Sequence, residues 1–456
     1  MRDLALQKNY LGQLGMNKTE VTDSILYIVH CIDTEGPLYE SIQETFKRFN
    51  VIYGKKIKPS KDNLKKIQNL EINLNGNEIS AAKCFSPKLL KYNENWKEVD
   101  QMLDIILSAK FRESLIDDFG GSWVYSWHCL DHIGFEPNPR KKSIGYGSVF
   151  NHYKKKLKET KSLRDEINWH FHPLSITREP LAAATSYNNN FDLLNYLLSK
   201  RIIDDGYFPT VNRPGFHSER TDSNVFLESW IPFDYANQFY EYGEDQPDMA
   251  NHRFGDWSRA PKTWRGYNPS FHDYQTPGNF NRVIFRCLNI GTRSRCLRES
   301  HIHEAFLEAQ KEGSAILSFA NHDYRDMTDD LNDLKQQIIK IRSNYPEVKI
   351  CFAGAEEAAI KHLKYEKKDN LDVELSINNN IVTAEILSGE IFGSQPFLAI
   401  KDVYDNYYHD NFDVVSPFKK WNYVLDNQTI DLKSVKTLAI GTAGKFGNYV
   451  TKKIEL

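Results

Sequence analysis

Eight apolar runs alternate with helix-like segments between about residue 24 and residue 365. Short runs rich in β-branched and aromatic residues predict strands, and helical segments between them predict βα units around a parallel sheet. The runs lie at 24–33, 122–130, 166–172, 207–213, 230–237, 282–290, 314–322 and 348–354. Eight such runs predict an α/β fold built as a (β/α) barrel, or as a distorted version of one.

Helical periodicity is clearest in four segments, at 101–120, 190–201, 301–313 and 326–346. Asp326 or Thr328 suits the N-cap of the last segment. Gly120 and Gly313 stand where the end of a helix favours a left-handed residue. These signals predict where the helices between the strands begin and end.

The pattern changes near residue 366, after which short alternating runs are separated by turn residues and no helical period is visible. This pattern is typical of a β-sandwich. We therefore predict two domains, a barrel over 1–365 and a β-sandwich over 366–456.

Two stretches, 43–100 and 239–280, have no firm period and are predicted to be long loops. A long loop in a compact domain is usually functional or disordered. The second stretch carries Trp257, Trp264 and further aromatic residues, and this composition argues against disorder.

Composition excludes several classes of function. A net charge of -3 with 26% charged residues gives no strong field, so nucleic acid is not an expected partner. The first residues lack the apolar core of a signal peptide, and no later run approaches the ~18 apolar residues of a membrane span. We expect a soluble, cytoplasmic protein without membrane insertion. The six cysteines include no CxxC pair, which argues against a disulfide framework or a thiolate zinc site.

Candidate chemistry lies at the ends of the predicted strands, where a parallel barrel carries its active site. The first run closes with Asp33 and Glu35, and the third with His170 and His172. Residues two apart on an extended backbone point to the same side. Two carboxylates and two imidazoles suffice to bind a divalent metal with an open position, most naturally zinc or another first-row ion.

Two further strand ends carry groups suited to catalysis. Arg213 closes the fourth run, where its guanidinium could pair with a strand-end carboxylate; the alternative is a surface arginine. His322 closes the seventh run and could act as a general acid, with Asp323 beside it to set its pKa or tautomer. The alternative for His322 is a hydrogen-bonded histidine of the barrel wall.

Weaker candidates follow the second and fifth runs. His128, Asp131 and His132 come at the end of the second run, where the histidines could line a site. Asp234, in the fifth run, could orient Arg213 or a substrate hydroxyl.

Taken in order, the segments "CIDTEG", "HFH", "NRPGF", "FDYAN" and "ILSFANH" resemble the motifs of the polysaccharide deacetylase superfamily, carbohydrate esterase family 4. The resemblance spans roughly residues 20–365 and is closest to the WbmS-like branch associated with bacterial surface polysaccharides. It implies a NodB-like irregular barrel that hydrolyses acetyl groups on sugars.

The resemblance also implies roles for individual residues. Asp33 would be the general base, with Arg213 as its partner, and His322 would be the acid. Glu35 would bind the metal together with the two histidines of "HFH". The family pattern has adjacent aspartates, histidines four apart and Arg-x-Pro, whereas this chain has "DTE", "HFH" and "RP". Which of Asp33 and Glu35 binds the metal therefore stays open.

The resemblance implies a carbohydrate substrate, so we expect its rings to rest on Trp257 and Trp264, with Asp234 and His128 also at the substrate. Two rival functions remain. A metal-dependent glycoside hydrolase would use carboxylates such as Asp33 and Asp323 as acid and base. A non-catalytic carbohydrate-binding protein would keep the barrel as a scaffold.

Overall fold

The computed structural model describes residues 24–131, 147–174, 176, 186–241, 255–365 and 370–456. All eight predicted strands are present in it. They are β1 (Ser24–Thr34), β2 (Tyr125–Leu130), β3 (Glu166–Phe171), β4 (Val211–Pro214), β5 (Phe233–Asn237), β6 (Val283–Asn289), β7 (Ser314–His322) and β8 (Val348–Phe352).

Seven of the eight strands close a parallel barrel, and β8 lies beside it. The sheet order is β2-β3-β4-β5-β6-β7-β1-β8, with an additional pairing of β2 with β1. One edge of β1 is shared, because Ser24 to Ile28 pair with β8 whereas His30 to Thr34 pair with β2. The predicted α/β barrel is confirmed, in the distorted form that the sequence allowed.

Helices surround the barrel. They are α1 (Ile42–Tyr53), α2 (Lys61–Gln68), α3 (Glu78–Cys84), α4 (Pro87–Leu90), α5 (Trp96–Ile106), α6 (Ala109–Arg112), α7 (Ser148–Glu159), α8 (Phe191–Lys200), α9 (Thr221–Trp230), α10 (Glu299–Glu312), α11 (Thr328–Arg342) and α12 (Ala355–His362). Among the described residues, no helix has the length and apolar character needed to cross a membrane.

The helical expectations are met in part. Gly313 ends α10 in the left-handed conformation (φ 84°), and the Asp326 side chain accepts a hydrogen bond from the Thr328 amide before α11. The helix predicted at 101–120 is broken, because Ser108 caps a new short helix, α6. Gly120 consequently lies in a later turn and not at a helix end.

The segment 43–100, predicted to be a loop, is mostly helical and contains α1 to α4 and the start of α5. Each helix is short, between 4 and 12 residues, so no long period shows in the sequence. Side chains of Ser41, Ser60 and Asn95 cap three of these helices. These capping residues, and not a helical period, mark the helices in the sequence.

The C-terminal region forms two four-stranded antiparallel sheets, as a β-sandwich requires. One has the order β13-β14-β10-β9 and the other β12-β11-β15-β16. The strands are β9 (Asp372–Asn378), β10 (Ile381–Ser388), β11 (Phe397–Asp402), β12 (Tyr407–Asp410), β13 (Asp413–Ser416), β14 (Lys420–Val424), β15 (Val435–Ala443) and β16 (Tyr449–Glu455).

A shared apolar core joins the sandwich to the barrel. Phe397 of β11 is fully buried and lies edge-on to the Trp230 ring at the end of α9, with the ring centroids 5.1 Å apart. Phe208 of the barrel region belongs to the same buried cluster as Phe397, Ala399 and Ala439 of the sandwich. The aromatic-rich β11 region therefore packs on the barrel.

Replacing Phe397 by Ala is expected to lower the free energy of unfolding by ~3–5 kcal/mol, because a large buried ring leaves a cavity in the shared core. Phe119, which is 56% exposed, provides the matched control, and Phe119→Ala should change stability little. Urea denaturation of the whole chain measures both variants. Equal effects would contradict the shared core.

Candidate metal centre

The barrel interior carries polar side chains at the carboxyl ends of its strands. Tyr27, Val29 and Cys31 alternate along β1 and lie in a buried apolar cluster with interior residues of β4 to β7. Asp33 continues the same alternation, and its register partners are His322 on β7 and His128 on β2. Because paired residues on parallel strands share a face, this row places polar side chains together at the carboxyl ends of the strands.

Asp33 forms a buried ion pair with Arg213. The Arg213 Nε donates to Asp33 Oδ1 over 2.5 Å, and Arg213 Nη1 donates to the Tyr235 carbonyl over 2.8 Å. Burial alone would raise the pKa of Asp33, but the Arg213 charge, with smaller contributions from His170 and His322, holds that pKa well below its usual value. Asp33 is therefore an oriented, ionised carboxylate.

Glu35, His170 and His172 converge as a group of three metal-type donors. One ligand atom from each lies within 4.8 Å of the others, and all three side chains are buried. Glu35 Oε1 lies 3.4 Å from His172 Nε2 and 4.0 Å from His170 Nε2. One carboxylate and two imidazoles leave a fourth position open, as in catalytic zinc sites.

Hydrogen bonding fixes the tautomer of His170. Its Nδ1 lies 2.6 Å from the Arg213 carbonyl oxygen, which can only accept, so Nδ1 carries the proton. Burial, partly offset by Asp33, lowers the pKa of His170 to about 3, so the ring is neutral near pH 7. The lone pair on Nε2 then faces His172 Nε2 at 2.9 Å, an arrangement that suits a shared cation. The donor set of Glu35, His170 and His172 is thus one that could hold a metal ion.

Asp33 lies beside this group and pairs with Arg213. Its Oδ1 is 3.8 Å from His170 Nδ1, the nitrogen that faces away from His172. Of the two carboxylates at the end of β1, Glu35 is the one grouped with the histidines. The geometry therefore favours Glu35 as the ligand and leaves Asp33 for another role.

His322 faces both carboxylates from the end of β7. Its Nε2 lies 3.7 Å from Asp33 Oδ2 and 3.8 Å from Glu35 Oε1. Its side chain is 22% exposed, more than the 6% and 4% of Asp33 and Glu35. His322 thus stands on the solvent side of the group, where it can meet a bound molecule.

Asp323 holds the loop that presents Glu35. Its two oxygens accept hydrogen bonds from the backbone amides of Glu35 and Gly36, at 2.8 and 2.9 Å, and from the Tyr153 hydroxyl at 2.9 Å. Its side chain is fully buried. These contacts place Asp323 in a positioning role behind the site. The sequence predicted instead that Asp323 would set the pKa or tautomer of His322 or, in the glycoside hydrolase alternative, act as an acid or base.

Asp234 belongs to a separate buried ion pair. It accepts from Arg282 Nη1 over 2.9 Å and from Asn212 Nδ2 over 3.1 Å, and it is fully buried. A carboxylate enclosed in this way cannot accept a hydrogen bond from a substrate hydroxyl. The substrate contact predicted for Asp234 is therefore wrong. Asp131 likewise pairs with a buried arginine, Arg201, at 2.5 Å.

The predicted sugar platforms, Trp257 and Trp264, are core residues. Each is 1% exposed. The Trp257 indole donates to the His217 carbonyl over 3.0 Å, and the guanidinium of Arg286 lies 4.6 Å from the Trp264 ring centroid. A ring covered by protein presents no face to a ligand, so both predictions are wrong. Aromatic composition alone does not distinguish a platform from a core.

His128 is the register partner of Asp33 on β2. Its side chain is fully buried, and burial lowers its pKa to about 3. Its Nδ1 is 3.4 Å from the Trp169 carbonyl oxygen. His128 thus exposes no surface to a substrate, contrary to the substrate contact predicted for it. His132 lies outside the described residues.

A tight turn that the sequence pattern did not predict follows β4. Phe216 and His217 both have positive φ, 54° and 49°, which is uncommon for residues other than glycine. The Phe216 ring stands edge-on to His172 at 4.6 Å, and a Cβ on Gly215 would lie 2.2 Å from the His172 ring. Strained backbone of this kind clusters at functional sites. The signal in the sequence was the glycine within "RPGFH".

No protein-family model matches this chain, and no curated protein matches it significantly.

Gly215→Ala is expected to weaken metal binding by tenfold or more, because the added methyl would displace the His172 ring and a small misplacement of a ligand is costly. Gly54→Ala is the control, since it strains a remote turn where nothing lies within 4 Å of the new methyl. Zinc titration against a competing chelator measures both. An unchanged affinity in Gly215→Ala would contradict the role of His172.

The metal-free protein is expected to lose stability as the pH falls below about 6.5. His30, His128 and His170 have pKa values lowered from 6.5 to about 3, first of all by burial. Between pH 6.5 and pH 3 the unfolded chain binds protons that the folded chain does not bind. The free energy of unfolding therefore decreases as the pH is lowered through this range. The slope reaches at most ~1.4 kcal/mol per pH unit for each residue.

Urea midpoints of the metal-free protein at pH 7.5 and 5.5 measure this effect. His272 is exposed, so His272→Gln should leave the difference unchanged. Glu166 and Glu219, whose pKa values burial raises to about 7 and about 8, act in the opposite direction. A higher midpoint at pH 5.5 than at pH 7.5 would therefore contradict the prediction that the histidines dominate.

Proposed function

We propose that the protein is a metal-dependent hydrolase that removes acetyl groups from a sugar or a polysaccharide precursor. The observation that carries the proposal is the convergence of three elements at the ends of β1, β3, β4 and β7. They are the donor group Glu35–His170–His172, the ionised Asp33 held by Arg213, and the partly exposed His322. The order of these elements along the chain also supports the resemblance to NodB-like deacetylases.

Glu35, His170 and His172 would hold a divalent cation, which supplies Lewis-acid polarisation of the acyl carbonyl and lowers the pKa of water toward ~7. Asp33 is fixed in its ionised form by Arg213 and accepts the proton of the attacking water. Arg213 also limits rotation of this carboxylate, so that its second oxygen stays directed toward His322.

His322 donates a proton to the departing amine or hydroxyl. An amine anion is too basic to leave unprotonated, so the C–N bond breaks as the proton arrives. The position of His322 across the two carboxylates, 3.7 and 3.8 Å away, and its access to solvent suit this task. Asp323 contributes by fixing the Glu35–Gly36 backbone.

The glycoside hydrolase alternative receives less support. It needs two carboxyl groups that face the substrate, one of them able to donate a proton. Asp323 is enclosed by two backbone amides and Tyr153, and the low pKa of Asp33 keeps that group deprotonated.

Acetate release from N-acetylated or O-acetylated sugars tests the proposal directly. His172→Gln should lose both metal and activity, since it removes one of three donors. His322→Gln should keep the metal but lower kcat by 10²-fold or more, the usual contribution of a general acid. Metal analysis and acetate assays are run on both.

The matched control is His272→Gln, at an exposed position far along the chain from the donor residues, and it should leave metal content and activity unchanged. Full activity in the chelator-stripped protein would exclude the metal-dependent mechanism. Cleavage of the glycosidic bond without acetate would favour the alternative hydrolase.

A further inference from the structure

A group of arginines lies on the rim of the barrel beside His322. Arg325 follows β7, Arg293 follows β6, and Arg48 comes from α1. Two of these segments leave the carboxyl ends of strands, so the group is on the same side of the barrel as the metal donors. The His322 and Tyr324 rings are 4.7 Å apart, and the Arg325 guanidinium is 4.9 Å from the Tyr324 centroid.

Tyr92 contacts two of the arginines, Arg325 and Arg293. Its ring lies edge-on to Tyr324, with centroids 6.0 Å apart, and the Arg325 guanidinium lies 5.1 Å from its centroid. Arg293 Nη2 donates to the Tyr92 hydroxyl over 3.3 Å. The Arg325 Nε also donates to the Leu89 carbonyl over 3.2 Å, which fixes the guanidinium in place. The side chains of the cluster are thus held in place by contacts with one another. They connect through Tyr324 to His322, the residue proposed as the general acid.

The charge of this cluster is positive and largely buried. Arg48 and Arg325 are 4% and 9% exposed. Arg48 forms an ion pair of 2.6 Å with Glu40, so Arg48, Arg293 and Arg325 together with Glu40 carry a net charge of about +2. Burial and the nearby charge of Arg293 lower the pKa of Arg48.

Two donors in the cluster point to a ligand. Arg48 Nη1 and Arg293 Nε are buried, and neither has a hydrogen-bond acceptor among the described residues. Buried donors are normally satisfied, and a guanidinium left without an acceptor is costly. An anion with several oxygens would accept from both while offsetting the repulsion between the arginines.

We propose that Arg48, Arg293, Arg325 and Tyr92 form a subsite for a phosphoryl group of the substrate, so that the acetylated sugar is a sugar phosphate or sugar diphosphate. A phosphate monoester carries about -1.5 to -2 charges near pH 7, which matches the +2 of the cluster better than a single carboxylate does. The identification of the substrate as a sugar phosphate rests on the proposed deacetylase function. Binding of an anion by these residues can be tested without that function.

Binding of simple anions to the full-length protein provides the first test. Calorimetry with inorganic phosphate and pyrophosphate should give saturable binding, whereas acetate at the same ionic strength should bind more weakly. Arg293→Gln should weaken pyrophosphate binding by about tenfold or more, since it removes a charge-assisted hydrogen bond. Arg293→Lys keeps the charge and should restore part of the affinity.

Arg259→Gln is the control for loss of one arginine. Arg259 is exposed and pairs with Asp273 at 2.6 Å, away from the cluster. The Arg259→Gln variant should bind pyrophosphate with the same affinity as the unsubstituted protein. Thermal melting of each variant shows that it is folded. Absence of saturable pyrophosphate binding, or equal affinity in Arg293→Gln, would overturn the subsite.

Kinetics provide the second test. N-acetylglucosamine and its 1-phosphate are compared as substrates, and Arg293→Gln should raise KM for the phosphorylated sugar about tenfold more than for the neutral one. Equal acetate release from both sugars with equal effects of the variant would overturn the subsite but leave the deacetylase proposal standing. Arg293-dependent pyrophosphate binding without acetate release would support the subsite and overturn the deacetylase.

Discussion

The site depends on the buried ion pair of Asp33 with Arg213. The inward face of β1 is apolar up to Cys31, and an isolated carboxylate one step further on would be strongly disfavoured. Arg213 supplies the compensating charge from the strand three places away in the sheet order, and its second donor is fixed on the Tyr235 carbonyl. The pair lets Asp33 stay ionised, and the His170 tautomer is then set by the carbonyl of the same arginine.

The shared edge of β1 explains how so many polar groups meet at one end. β8 covers the first half of β1, so β2 pairs only with the second half, from His30 to Thr34. This pairing places His128 next to Asp33, while β7 places His322 on the other side. Asymmetry in the barrel wall therefore brings His128 and His322 to the two sides of Asp33 at the carboxyl end of the barrel.

Strand positions and the donor residues could be predicted because both follow a period of two. Each strand has an alternating or continuous apolar run, and the ends of the first and third runs carry paired polar residues with that spacing. Asp33, Glu35, His170 and His172 were found in this way, as was His322. The buried positions of an irregular segment follow no such period. The sequence therefore did not show that Trp257 and Trp264 lie in the core.

The remaining differences come from contacts between segments far apart in the sequence. Asp323 follows His322 directly, yet its oxygens bind the amides of Glu35 and Gly36, 288 and 287 residues earlier. Spacing places the two residues at one strand end but does not say which way each side chain turns. On an extended backbone, neighbours face opposite sides, so His322 turns into the barrel and Asp323 turns away from it. One dipeptide thus supplies His322, which faces Asp33 and Glu35, and Asp323, which holds the Glu35–Gly36 backbone from behind.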